Sequence, residues 1–210
     1  MGVYFSSDLH IRHKLVAKLR ADMVGVAFAS DDETVAWHDH YLATRWDALV
    51  KSDDQVWVLG DISGGGKGSQ LNALEWIARR PGEKHLVPGN HDGIHPSSRD
   101  SHKWFPEYLQ VFSSVQPFAR RKIAGRSVLL SHFPYEGEGE RGGGDRFTQY
   151  RLRDEGLPVL HGHIHSTVKT SRVAERGGED WMAGTLQLHV GLDAWNLAPV
   201  HLDELAELLG

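Results

Sequence analysis

The 210-residue chain contains no cysteine. That excludes disulfides, thiolate-held metals and a cysteine nucleophile. No run approaches the ~20 apolar residues of a membrane span, and the start lacks the basic-then-apolar order of a signal peptide. The cytoplasm is the expected compartment. An excess of positive charge is also missing: 23 Lys plus Arg face 28 Asp plus Glu, a net charge of −5. A non-specific nucleic-acid coat or a basic membrane-surface protein is therefore not expected. No internal repeat and no long linker divides the chain, so one domain over residues 1–210 is expected. Met1-Gly2-Val3-Tyr4-Phe5-Ser6 matches a myristoylation pattern on paper, but it reads as Gly2 leading into a first strand.

Short apolar runs alternate with helical patterns, which points to a layered α/β fold. Strands are expected at Val3–Ser6, Gln55–Leu59, Lys84–Val87, Ser127–Leu130, Pro158–Leu160 and Leu186–Val190. Helices are expected at Ile11–Met23, Ser30–Lys51, Ser69–Arg80 and Asp203–Leu209, with a weaker one over Ser101–Val111 broken by Pro106. Ser30 and Glu33 are spaced as a capping box. Phe118–Ile123 and Arg126–Leu130 flank Ala124-Gly125 as a hairpin, and Gly137–Gly144 reads as a mobile loop.

Histidine is plentiful, with 14 residues, and its placement carries the chemistry. Nearly every expected strand runs into a small polar cluster: Asp8-Leu9-His10, Gly60-Asp61, Gly89-Asn90-His91-Asp92, Ser131-His132 and Gly162-His163-Ile164-His165. In open α/β sheets, ligands bind outside the carboxyl ends of the strands. The donors are carboxylate and amide oxygens and imidazole nitrogens, without sulfur. That set suits Mn²⁺, Fe²⁺, Zn²⁺, Ni²⁺ or Co²⁺. Asp8 and His10 are two apart, so on extended backbone both side chains leave one side and can grip one ion, and His163 and His165 share that spacing. Any one cluster alone reads as a turn or a core histidine. Five in order, each closing a strand, do not.

The ordered series resembles the calcineurin-like metallophosphoesterase superfamily. Ser131-His132-Phe133-Pro134-Tyr135, Asp145-Arg146-Phe147 and Gly191-Leu192-Asp193-Ala194-Trp195-Asn196 are similar to small bacterial and phage-encoded members. The resemblance implies an α/β/β/α sandwich with two divalent metals between the loops. It implies Asp8, His10 and His165 on the first metal, Asn90, His132 and His163 on the second, and Asp61 bridging both. It places His91 beside the phosphate and leaving group, its ring held by a hydrogen bond to Asp92. It further implies attack on phosphorus by a metal-bridging hydroxide. Two divalent ions, two ligand carboxylates and that hydroxide leave about one positive charge, a local trap for an anion. A small phosphoester, preferably a diester and including cyclic nucleotides, is the expected substrate. Asn90, His91 and Arg146 are expected to contact it, with the Gly137–Gly144 loop as cover, and Mn²⁺ heads the candidate metals.

Other features read blandly. Gly64-Gly65-Gly66-Lys67-Gly68-Ser69 is not a P-loop, because Asp61 stands where its first glycine belongs and Gly68 follows the lysine. His38 and His40 point to different faces of a helix. His13, His85, His95, His102, His161, His189 and His201 read as structural, although His13 and His161 lie near the site in sequence. Arg120-Arg121-Lys122 reads as a solvated hairpin edge, with a nucleic-acid contact as the sharper option. The seven tryptophans read as core. Alternatives to the diesterase are a phosphomonoesterase, a nuclease or a non-catalytic scaffold of the same fold. The complete ligand series argues against the scaffold, and the acidic balance against the nuclease.

Overall fold

The computed structural model describes residues 1–138, 144–173 and 184–210. Residues 139–143 of the expected loop, and Trp181, lie outside them. Two five-stranded sheets form. The first has the order β10-β1-β2-β3-β4, with β1 Val3–Ser6, β2 Gln55–Val58, β3 Glu83–Leu86, β4 Ser114–Val115 and β10 Val200–His201. β1 to β4 are parallel and β10 is antiparallel. The second has the order β5-β6-β7-β9-β8, with β5 Ala119–Ile123, β6 Arg126–Leu130, β7 Val159–His161, β8 Thr170–Arg172 and β9 Leu186–His189. Here β6, β7 and β9 run parallel between antiparallel edges.

Alternation along the strands builds two cores. Val56, Val58 and Leu86 point from the first sheet toward helices α2 (Asp31–Leu49) and α3 (Lys67–Ala78), meeting Leu42, Trp46, Leu74 and Ile77. Their neighbours Phe5, Trp57, Leu59 and Val87 point the other way and meet Val128, Leu130, Leu160 and Leu188 of the second sheet. A period of two thus lets one strand serve both layers. The C-terminal helix α5 (Leu202–Leu209) lies against β1, β5 and β10 and seals the seam with Leu205 and Leu209. This is the expected sandwich, with helices flanking two stacked sheets. Among the described residues, no helix is long and apolar enough to cross a membrane.

Boundaries differ where tertiary bonds compete with local pattern. Helix α1 (Lys14–Val24) begins at Lys14, not Ile11. The amides of Asp8, His10 and Ile11 are held by the carbonyls of Gly60, Asp61 and Ile62, which keeps that segment out of the helix. Ser30 Oγ caps α2 by accepting from the Glu33 amide, and Glu33 answers by accepting from Ala29. Helix α3 starts two residues early, at Lys67, after a left-handed Gly66. The weak helix resolves into a 3₁₀ turn, Ser101–Trp104, and a short α4, Phe105–Tyr108. Pro106 sits in the first turn of α4, where its missing N–H does no harm; it starts that piece and does not break it.

Candidate metal centre

The parallel strands β1, β2, β3, β6, β7 and β9 all end on one side, and the five polar clusters meet there. The first sheet brings Asp8, His10, Asp61, Asn90 and His91. The second brings His132, His163 and His165. Two groups form: Asp8, His10 and His165, and Asp61, His132 and His163, each offering donor atoms within 4.8 Å of one another. In the first, the Nε2 atoms of His10 and His165 face each other at 3.1 Å, and Asp8 Oδ1 lies 3.9 Å from His165 Nε2. Asn90 joins the second, its Oδ1 3.3 Å from His132 Nε2. Asp61 Oδ2 stands between the groups, 3.8 Å from His10 Nε2 and 3.5 Å from His132 Nε2.

The loops reach this geometry by a different route from the one their spacing suggests. Asp8 (φ 59°), His10 (φ 48°), Asp61 (φ 54°), His163 (φ 73°) and His165 (φ 50°) are all left-handed, not extended. Aspartate and histidine are among the few residues with a Cβ that enter this region readily. His163 and His165 consequently project into different groups and do not grip one ion together. Close packing enforces the turn: a Cβ at Gly89 would collide with Asp61 Oδ1 and the His132 ring, and one at Gly162 with Ser7 and Asp8.

Hydrogen bonds fix which atoms face the centre. His132 Nδ1 donates to the Leu59 carbonyl (2.7 Å), which leaves Nε2 for Asn90 and Asp61. His165 Nδ1 donates to Asp193 Oδ2 (3.0 Å), and His163 Nε2 faces Glu138 Oε1 (2.9 Å). Held outer nitrogens of this kind are what imidazole ligands of metals have. The Asp8 carboxylate accepts from the His163 amide, a bond between the loops of the two sheets. Burial opposes the charge on His132, but Asp61 overcomes it and pushes the imidazole up to about 9. Burial pushes His10 down to about 3. Six buried or half-buried N/O side chains around a shared carboxylate, with no sulfur, fit two borderline divalent ions.

His91 is exposed, its ring 5.5 Å from that of His10, and its amide donates to Asp61 Oδ1 (2.9 Å). The expected Asp92–His91 ring bond is replaced by another. Asp92 is buried and accepts from the amides of Asp61, Ile62 and Gly89 at 2.8–2.9 Å, tying the β2 and β3 loops together. Burial and the nearby Asp61 push it up to about 7, against those amide donors. Arg146 is bound to Glu138, as is the buried Arg151. Glu138 and Arg20 were not singled out by the sequence, and Asp193 was named only within the Gly191–Asn196 segment, without a role. Asp193 had a signal, since it follows β9 as the other clusters follow their strands; Glu138 and Arg20 had none.

The bland readings mostly stand. His38 is buried and His40 exposed. His13 caps α1, and His85 stacks on Trp57. Trp46, Trp57 and Trp195 are buried, while Trp37, Trp76 and Trp104 are half-buried. Arg121 departs from a solvated edge: its guanidinium lies over the Trp57 ring, and only Arg120 and Lys122 face solvent.

The calcineurin-like phosphoesterase profile matches residues 1–167. The chain belongs to that family. It is accordingly a metal-dependent phosphoester hydrolase, with two His/Asp clusters disposed for metal ions. It is similar to the Gene 66 proteins of two phages. Identity is 45% to that of Mycobacterium phage L5, covering 99% of this chain and 94% of the relative. For Mycobacterium phage D29 the figures are 44%, 99% and 96%. The fold is shared with AQ665 of Aquifex aeolicus, a protein of unknown function: TM-score 0.62, 21% identity, 99% of this chain and 98% of the other covered.

Proposed function

We propose that this phosphoesterase prefers phosphodiesters, with cyclic nucleotides among them, and works with two divalent ions, Mn²⁺ first. The observation that carries the reading is Asp61 Oδ2, set between an Asp8/His10/His165 group and an Asn90/His132/His163 group. Bound there, the ions supply Lewis acidity for the phosphate oxygens and activate water at neutral pH. The chain does the rest. Asp61 spans the two half-sites, and Asn90 holds its amide oxygen toward the second. His91, exposed at the rim, offers a ring N–H to the leaving oxygen as general acid. The buried Asp92 holds the two loops that present Asp61 and Asn90.

Diester preference rests on charge. A dianionic monoester favours an additional cationic clamp. Arg146, expected beside the substrate, and its neighbour Arg151 are both engaged by Glu138. The cytoplasm remains the expected compartment. Mn²⁺-loaded protein assayed on bis-p-nitrophenyl phosphate, p-nitrophenyl phosphate, and 2′,3′- and 3′,5′-cyclic nucleotides tests the preference. A higher kcat/KM on the diesters is expected, and a tenfold monoester preference overturns the reading. His91→Ala, with both metals retained, is expected to lose ~10²–10⁴-fold with poor leaving groups and less with p-nitrophenolate. Equal losses on both remove His91 from the acid role.

A further inference from the structure

Arg20 of α1 (Lys14–Val24) is 1% exposed, and a buried guanidinium needs a partner for every donor. It has them. Nε and Nη2 hold Asp193 Oδ1 and Oδ2 at 2.9 and 3.1 Å. Nη2 also donates to the Asp8 carbonyl (2.7 Å), and Nη1 to the Leu9 carbonyl (3.2 Å). The last donor meets His38 Nε2 at 3.1 Å, while His38 Nδ1 donates to Asp39. All five N–H groups of the fork are used, which a lysine could not reproduce. Replacing a buried ion pair with apolar side chains is often neutral or stabilising. Stability alone is therefore a weak reason for this pair.

Its position supplies a better one. Asp193 Oδ2 accepts a hydrogen bond from His165 Nδ1, so Nε2 is the nitrogen turned toward His10 and Asp8. The same guanidinium grips the carbonyls of Asp8 and Leu9, in the turn where Asp8 and His10 are left-handed. We infer that Arg20 and Asp193 are positioning residues for the first half-site: Asp193 selects the nitrogen His165 presents, and Arg20 holds Asp193 and the Asp8–His10 turn in register with it. The inference rests on the two-metal reading above. His163 has Glu138 as its counterpart in the second half-site, where Arg151 holds Glu138 Oε2 (3.2 Å) and donates to the Pro134 carbonyl (3.1 Å), two residues beyond His132.

Mn²⁺ titration of metal-free protein, followed by calorimetry and by the EPR signal of free Mn²⁺, tests this without turnover. Wild type is expected to bind two ions, with His165→Ala and His132→Ala marking which binding step belongs to which half-site. Asp193→Asn keeps the side-chain volume and removes the charge. It should weaken the step that His165→Ala deletes by ~10–100-fold, the usual loss for an outer partner of a metal ligand, and spare the step that His132→Ala deletes. Arg20→Lys, which keeps the charge but not the fork, should weaken the same step, and Asp193→Glu should recover part of it. Thermal unfolding of the metal-free variants serves as the control for folding. Two unchanged steps in Asp193→Asn overturn the positioning role and leave the two-metal reading intact, and so does equal weakening of both steps together with lowered thermal stability. A wild-type chain that binds no Mn²⁺ overturns both.

Discussion

The two sheets contribute different chemistry to one site. The first supplies every oxygen donor, from Asp8, Asp61 and Asn90, together with the His10 imidazole; the second supplies only imidazoles, from His132, His163 and His165. Each half-site draws on both. Neither sheet alone presents a complete set for either ion, so the centre exists only where the sheets stack. Each bound ion would act as a cross-link between layers that the apolar seam of Phe5, Leu59, Val128 and Leu160 already joins. In the two-metal reading, a chain without thiols would hold borderline ions with oxygen donors from one layer and three of its four imidazoles from the other.

The strongest way to break this comparison is to remove the metals. Chelation is expected to abolish diester hydrolysis, and Mn²⁺ to restore it. An ion at 100 times its Kd stabilises the folded state by ~2.7 kcal/mol, and 1 kcal/mol moves the Tm of a chain this long by ~2–4 °C. Two cross-sheet ions should therefore raise Tm on the order of 10 °C in calorimetric scans with Mn²⁺ against chelator. An unchanged Tm would show that the ions do not tie the sheets.

The next test sets the shared residue against one that serves a single half-site. Asp61→Ala should lose both metals, because its Oδ2 faces both groups, whereas His132→Ala should retain the first. Metal content after gel filtration reads this directly, and equal losses would remove Asp61 from the shared role. A smaller effect is expected at Asp92, which works within the first sheet alone. Asp92→Asn turns one of three accepted amide bonds into a donor–donor clash. It should cost ~1–3 kcal/mol in denaturant unfolding, with the ratio of rates on good and poor leaving groups unchanged. A change in that ratio would return Asp92 to the His91 ring.

Much of this was legible in the sequence because two signals are local. The strands β1, β2, β3, β6, β7 and β9 announced themselves as apolar runs, and each strand-end cluster could be read beside its strand. What was missed is non-local. Ser114–Val115, Thr170–Arg172 and Val200–His201 are edge strands of two or three residues, too short for any period, and they form only because a neighbour offers free backbone groups. Arg20 lies 173 positions from Asp193, and within an amphipathic pattern it looks like a surface cation. The Asp92–His91 bond failed for a related reason. The resemblance paired the two side chains, while the amides of Asp61 and Ile62, brought in by the fold, join the local Gly89 amide in holding the buried carboxylate.

The left-handed turns at Asp8, His10, Asp61, His163 and His165 carry a consequence for how this chain can change. A left-handed residue with a Cβ costs on the order of 1 kcal/mol, and a domain's net stability is only ~5–15 kcal/mol. Glycine would relieve that cost at each of the five positions and forfeit a donor in doing so. Stability and chemistry therefore pull these positions in opposite directions. A lineage selected for heat tolerance, and released from the need to hydrolyse its substrate, would drift toward glycine at these positions first, with its sheets and seam unaltered. The sandwich would outlast its reaction, and glycines at the strand ends would record where the reaction had been.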